Sequence, residues 1–347
     1  MNTLKSNIDI YPCFIPVRLS DELVSKLCLN TKKIKLEADH QFNYFGMLNL
    51  YFQKFFAGNM SLQEVFSDLP IENLYLWSVA KISNDIHVKQ VVNDIKKFNN
   101  ALSLIKSNNS LNKASFAKYN KLLQPKRREF GYRKGNMRVG DPSKIDYAFY
   151  APPVDKLDVL LENVFDFVKS KNISKVNIAL IAMFQLIFIH PFKDGNGRVV
   201  RALTISFLEK ELGVIPAYLL ILYFKVINPV NYYLALNSYR EGNIKEIKRF
   251  HVEAINWAYK SKKILFEFIE GYIQQTGLDK IYNYPSYLQV VVKSEPNECI
   301  NQNIFKFHSK KEGKNISINT ALLNVLNQFD YYLRYELRTY QQSKYKQ

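Results

Sequence analysis

A mainly α-helical fold with one small β-hairpin is what this sequence predicts, and three observations predict it. Long segments such as 91–105 and 154–169 place apolar residues three and four apart, the period of a helix with one buried face. Strand-like alternation is scarce, and glycine appears only 12 times in 347 residues. One interior stretch, GYRKGNMRVGDPSKID at 131–146, is rich in Gly, Pro and Asp and too polar for a helix, so it reads as a hairpin or extended loop.

Composition bounds the class. Hydrophobic residues make up 47% and charged residues 23%, the profile of a folded globular chain rather than a disordered one. Cys13, Cys28 and Cys299 lie far apart without metal or disulfide spacing, which fits a reducing compartment. The N-terminus, MNTLKSNIDIYPCF, lacks the pattern of a signal peptide. The most apolar stretches, 178–189 and 214–224, are well short of the roughly 20 residues that cross a bilayer. A cytoplasmic location and no membrane partner are expected. The formal net charge of +17 favours polyanionic partners, but no dense basic block stands out beyond Lys126 to Arg128 and the C-terminal SKYKQ. A solvated basic surface is the first reading and nucleic acid the main alternative.

Three consecutive regions follow. Residues 1–112 form an N-terminal helical region that ends in the polar stretch SNNSLNK at 107–113. Residues 113–259 form the central region, and 260–347 a small C-terminal domain of long basic and aromatic helix followed by a compact piece. No internal repeat is present.

The chemistry concentrates in HPFKDGNGRVVR at 190–201. Ser174 is a good N-cap for an apolar helix that runs to Ile189, and Pro191 disfavours helical geometry at His190, so the histidine sits where the helix ends. Gly195 and Gly197 flank Asn196 in a turn, and a second helix runs from Arg198 to Leu212 before Gly213. Free amides at that helix start, aided by the helix dipole, make an anion site. Arg198 and Arg201 share a helix face beside it, which suits polyphosphate better than one carboxylate. Asp194 offers a hard oxygen for Mg²⁺ arriving with the phosphates.

The segment is similar to the Fic family motif HPF-x-(D/E)-GNGR-x-x-R at every specified position, with Lys193, Val199 and Val200 in the free slots. The resemblance implies a Fic-type helical bundle with a β-hairpin flap. It implies His190 as the general base for a target hydroxyl, Asp194 on Mg²⁺, and Gly195, Asn196, Gly197 and Arg198 on the phosphates of ATP. Arg201 would contact the terminal phosphate, and Phe192 would be a buried anchor. Upstream, Arg133, Gly140, Pro152 and Pro153 occupy places that resemble the family's flap and the entry to its next helix. Downstream, Tyr223, Phe224, Asn228, Tyr232 and Tyr233 resemble a run that lines the nucleotide pocket, with Pro229 departing from the usual arginine. The implied activity is protein adenylylation, the transfer of AMP from Mg-ATP to a Tyr, Thr or Ser hydroxyl of a target protein or of the chain itself. A different nucleotide donor, or a DNA-binding regulator with a nucleotide-sensing domain, are the alternatives.

Family members usually carry an inhibitory helix with Ser/Thr-x-x-x-Glu-Gly/Asn, a string absent from this sequence. The expected register, within 78–86, falls on Lys81 and Asp85, making Asp85 the shortened counterpart of the inhibitory glutamate. Glu72 and Asn73 offer a second register, which Ser67 misses by one residue and Pro70 interrupts. An antitoxin-like partner or a homodimer could supply restraint instead. The C-terminal piece reads as two or three short helical runs, one capped by Ser317, with a loose likeness to a winged helix-turn-helix that would contact DNA. His40, His87, His251 and His308 read as structural.

Overall fold

In the computed structural model, residues 15–16, 18–30, 45–57, 70–108, 111–124, 131–140, 149–277, 289–292, 305–311 and 314–343 are described. Cys13, Cys299, His40, Ser67, the group Lys126 to Arg128 and the far part of the flap, 141–146, lie outside them. The chain divides into two units by its internal contacts: 1–36, 100–212 and 230–253 form one, and 37–99, 213–229 and 254–347 the other. These two units are discontinuous in sequence and do not coincide with the three consecutive regions expected above. Linker composition marks where a chain turns, whereas unit membership is set by which distant segments pack together.

The first unit is built on two helices, α7 (Lys175–Ile189) and α8 (Asn196–Leu212), joined by the motif loop. Ser174 caps α7 as expected, its hydroxyl accepting from Asn177 N at 3.2 Å, and the Glu211 carboxylate accepts from Val176 N at 3.0 Å. Apart from Lys175 and Ile187, every residue of α7 is buried, so this helix is the core rather than one wall of it. Around it stand α1 (Asp21–Leu27), α5 (Lys113–Leu123), α6 (Leu157–Val168) and α10 (Pro229–Arg240). Asn163 of α6 and Asn177 of α7 each pair both amide ends with backbone, at Leu19 and Leu29, and so fasten the N-terminal segment.

The expected hairpin is present in reduced form. Strand β1 (Arg138–Val139) pairs antiparallel with β2 (Phe149–Tyr150) in the register Arg138 to Tyr150 and Val139 to Phe149. Arg133 does not lead a strand. It lies ahead of β1, buried, with a separate task described below.

In the second unit, α2 (Phe45–Ala57) buries Tyr51, Phe52, Phe55 and Phe56, and Lys54 forms a buried ion pair with Asp330 at 2.9 Å. The same unit holds α3 (Ile71–Ala80), α9 (Val214–Leu222) and a π-helical turn over Tyr223–Ile227. Two long helices, α4 (Ile86–Ser107) and α11 (Ile244–Thr276), contribute residues to both units. No single helix among the described residues is long and apolar enough to cross a membrane.

Two expectations are corrected here. Residues 81–85 are not helical: Lys81 adopts a left-handed conformation (φ 57°) that closes α3, and α4 begins only at Ile86. The proposed inhibitory register thus falls on an interhelical turn. Asp85 Oδ1 accepts from His87 N at 2.7 Å, so its carboxylate starts α4 as a cap. Pro70 stands just outside α3, whose first residue is Ile71, and Glu72 lies in its first turn.

Among its described residues the C-terminal piece is not a set of short helices. Strands β3 (Val291–Val292), β4 (Phe305–Lys311) and β5 (Lys314–Asn319) form an antiparallel sheet in the order β3-β5-β4, followed by one long helix, α12 (Thr320–Ser343). Ser317 lies within β5. The cap of α12 is Asn319, whose Oδ1 accepts from Leu322 N at 2.8 Å. Ile316, Ser317, Ile318 and Asn319 are all buried, so this part of β5 is covered on both faces, and no helix-turn-helix appears among the described residues here.

Candidate active site

His190 ends α7 in a left-handed conformation (φ 46°, ψ 60°), a backbone state that costs a non-glycine residue about 1–2 kcal/mol. Pro191 removes the helical alternative, and the loop is held from outside by Arg133. That buried guanidinium donates to the carbonyls of His190 (3.0 Å), Gly135 (3.1 Å), Ile189 (3.4 Å) and Pro152, while Arg133 N donates to Pro191 O at 2.9 Å. Four carbonyls from three chain segments thus converge on one side chain. Arg133 is a positioning residue.

The imidazole is oriented by its own helix. Nδ1 lies 3.2 Å from the Ile187 carbonyl oxygen, and because a carbonyl only accepts, the neutral ring carries its proton on Nδ1. The lone pair is then on Nε2. Burial holds the His190 pKa down to about 4, with Arg133 acting in the same sense and the Ile187 bond and Asp194 opposing it. The ring is therefore neutral, and a competent base, throughout the physiological range.

Phe192 is fully buried, stacked on Tyr132 at 4.9 Å and tilted against Phe116 at 5.0 Å. A backbone bridge between Tyr132 and Phe192 adds to the anchoring that the sequence predicted. Asn196 has a different task from the one expected. Its Oδ1 accepts from Phe192 N at 2.9 Å and its Nδ2 donates to Phe192 O at 2.8 Å, so both ends of a buried amide are committed to the turn. Asn196 braces the loop that a phosphate would meet, and its side chain does not reach outward.

Two residues that sequence reasoning missed hold the other side. Asn120, buried near the end of α5, and Gln124, its C-cap, both donate to the Asp194 carbonyl, at 2.9 and 2.6 Å. Asn120 Oδ1 accepts from Gly131 N at 3.1 Å, and Gln124 Oε1 accepts from Arg198 Nη2 at 2.9 Å. A carbonyl accepts and a guanidinium donates, so the partners dictate the orientation of the Gln124 amide. The available signal was two amides one turn apart at the end of an amphipathic helix.

Gly195 sits under this clamp. Its φ is +82°, and an added Cβ would come within 2.2 Å of Gln124 Nε2. Gly197 is constrained by Arg201, whose Nη1 would lie 2.8 Å from a Cβ there. The Arg201 side chain therefore folds back over the first turn of α8, the direction helical side chains take.

The electrostatics at this helix start favour an anion. Arg198 is buried and pairs with Asp194 Oδ2 at 3.2 Å. Arg201 has no ion-pair partner among the described residues, and its buried Nε has no hydrogen-bond partner. Burial lowers its pKa to about 10; Arg198 acts in the same sense, and Tyr232 and Tyr233 oppose it. Two guanidiniums at the positive end of a helix repel each other and the dipole, an arrangement that a bound polyanion reverses. Tyr232 is held in a cluster with Phe184 and Phe250, and Tyr233 is 42% exposed beside it. Both flank Arg201. Tyr223, Phe224 and Asn228 are buried in the second unit, where Asn228 Nδ2 donates to the Tyr223 hydroxyl at 2.9 Å. Their roles there are structural.

Asp194 is the residue that fits a divalent cation. Its carboxylate is 36% exposed, with Oδ1 accepting from Gly195 N at 2.6 Å and Oδ2 facing Arg198. No group of three metal-ligating side chains occurs among the described residues. One carboxylate supplemented by phosphate oxygens and water is how Mg²⁺ is commonly held, so the donor set fits that ion only together with a nucleotide.

Fold and loop together define a mainly helical protein whose candidate site is a histidine-bearing helix end beside an arginine-lined helix start. Residues 109–208 match the model of the Fic/DOC family. The chain thus carries a Fic/DOC family domain, which lies in its first unit with the motif loop near the domain's end. Solved structures with which it aligns include a Fic family protein from Desulfovibrio desulfuricans G20, at 13% identity over 87% of this chain and 97% of that one, TM-score 0.46. A Fic domain containing signaling protein from Bacteroides thetaiotaomicron aligns at 18% identity over 69% and 96%, TM-score 0.40. Fic-1 from C. elegans aligns at 15% identity over 70% and 72%, TM-score 0.45.

Proposed function

We propose that this protein transfers AMP from Mg-ATP to a Tyr, Thr or Ser hydroxyl of a protein. Fic domain proteins generally transfer a nucleoside monophosphate to proteins. The observation that carries the reading is the Nε2 lone pair of His190 on the same loop as Arg201, whose buried Nε has no hydrogen-bond partner among the described residues. The target oxygen attacks the α-phosphorus, its proton passes to His190 Nε2, and the bond from that phosphorus to the β-phosphate bridging oxygen breaks to release pyrophosphate. Arg198, Arg201 and the first amides of α8 hold the phosphates and balance their charge, so catalysis is mostly positioning and charge neutralisation. Asp194 would hold Mg²⁺, which when bound neutralises charge on the leaving pyrophosphate. A neutral His190 accepts the proton without prior deprotonation.

The test is intact-mass analysis of the purified chain with each Mg-nucleotide in turn, alone and with candidate protein acceptors. The added mass names the donor. Addition of AMP, lost in His190→Ala while calorimetric ATP binding persists, is the expected result. Parallel loss of binding and transfer in His190→Ala would remove the base assignment. Addition of a uridylyl, guanylyl or phosphocholine group would replace ATP as the donor.

A further inference from the structure

The second unit carries a surface that nucleotide transfer does not use. One face of α12 presents Asn324, Asn327, Gln328, Tyr331 and Tyr335, and together with Phe268 of α11 it lines a groove of about 600 Å³. Tyr331 is 72% and Tyr335 61% exposed, the most solvent-open large aromatics among the described residues. Both are on rigid ground. Leu326, Phe329 and Leu333 are fully buried on the opposite face of α12, and Tyr332 is fixed by Ser261 through their hydroxyls at 3.0 Å.

Two aromatic rings four residues apart stand one turn apart, about 5–6 Å between Cβ atoms. That spacing suits two neighbouring flat ligands. Beside them the three amides offer donor and acceptor pairs for the edges of such rings, and Arg338 continues the strip one turn on, exposed. The chain's net charge of +17 adds long-range attraction for a polyanion. From these observations we infer that the α11–α12 groove binds single-stranded nucleic acid, with unpaired bases stacked on Tyr331 and Tyr335 and the backbone phosphates toward Arg338.

Length and shape separate this occupant from its rivals. From Asn324 to Arg338 the strip runs about 20 Å along the helix, longer than one nucleotide. A duplex keeps its bases stacked on each other and cannot offer their faces to tyrosines. Stacking on exposed aromatics with a basic surround is the general solution for strands whose sequence is not read.

The experiment uses the full chain and fluorescence anisotropy with a labelled oligothymidylate and oligoadenylate of about twelve nucleotides, a length within known site sizes. An abasic oligomer of equal charge, a duplex, free AMP and an acidic peptide are competitors. The expected results are binding that weakens with salt and a loss of tenfold or more in Tyr331→Ala/Tyr335→Ala. The Tyr331→Phe/Tyr335→Phe variant should retain affinity, because stacking needs the ring and not the hydroxyl. Both substituted rings are exposed, and circular dichroism checks that the fold is kept. Equal binding of the abasic oligomer, or unchanged affinity in the double alanine variant, would overturn the inference. So would preferential capture of the duplex, AMP or the peptide, or self-association abolished by the alanine pair without oligonucleotide binding. None of these outcomes bears on AMP transfer by the first unit.

Discussion

Replacing Gly195 by alanine tests how the motif loop is held. The added Cβ would meet Gln124 Nε2 at 2.2 Å, and the backbone at φ +82° is strained for any residue with a Cβ. The backbone term is about 1–2 kcal/mol. Relieving the contact moves the Gln124 amide, which loses its bond to the Asp194 carbonyl, about 1 kcal/mol, and its bond to the Arg198 guanidinium, about 1.5–3 kcal/mol. Gly195→Ala should therefore destabilise by several kcal/mol, and Gln124→Ala by about two thirds as much. In a Gln124→Ala background only the 3.0 Å approach to Asn120 Nδ2 remains, and the glycine change should cost little more than the backbone term. Thermal unfolding of the four proteins gives the coupling directly, at roughly 2–4 °C per kcal/mol for a unit of this size. Equal cost of Gly195→Ala in both backgrounds would refute the clamp.

Other substitutions read separate parts of the site. Arg198→Ala should lower the unfolding temperature, since it strips bonds from Gln124 and Asp194, whereas Arg201→Met should raise it while weakening nucleotide binding in calorimetry. His251 is buried against Phe184, and burial pulls its pKa to about 3, far below the unfolded value of about 6.5. The unfolded chain thus binds an extra proton in this window. Stability from this site is complete above about pH 6.5 and is lost as pH falls toward 3, at about 1.4 kcal/mol per pH unit, and His251→Phe should flatten that part of a denaturant-midpoint profile. For the same reason the acid limb of transfer should lie nearer pH 4, where His190 protonates, than pH 6.5, as an initial-rate profile in kcat/KM would show. Asp85→Ala should cost about 1 kcal/mol of stability as a lost helix cap and leave the initial rate of transfer unchanged, where a rise would revive it as a restraint.

Local chemistry made the motif legible. Ser174, Pro191 and the two glycines each act within a turn of themselves, so helix end, loop and helix start followed from neighbours in sequence, and Phe192 as anchor followed from an apolar residue between polar ones. Asn120 and Gln124 were not legible, because an amide has the same composition whether it faces water or a carbonyl some seventy residues away. Asn196 was misread for a related reason. Its place in the motif is visible in the sequence, but only the structure shows that its amide turns inward to Phe192. In the C-terminal piece the alternation of Ile316 and Ile318 was too short to outweigh the helical run beyond it, so a strand was taken for the start of a helix.

The two unusual groups of the site belong to one arrangement. His190 is kept neutral by burial and by Arg133, and that same positive surround would resist a protonated imidazole. Arg201 is kept charged, with no ion-pair partner among the described residues, over the positive end of α8. Each is costly alone, as a buried base that must later accept a proton and a cation with nothing to balance it. Under the proposed function, a triphosphate at the helix start would resolve both, since its charge would pair with Arg201 and favour the imidazolium that forms as the target hydroxyl gives up its proton. On that reading the unfavourable charge arrangement would be relieved on binding and during proton transfer, which is where a transferase gains most from it.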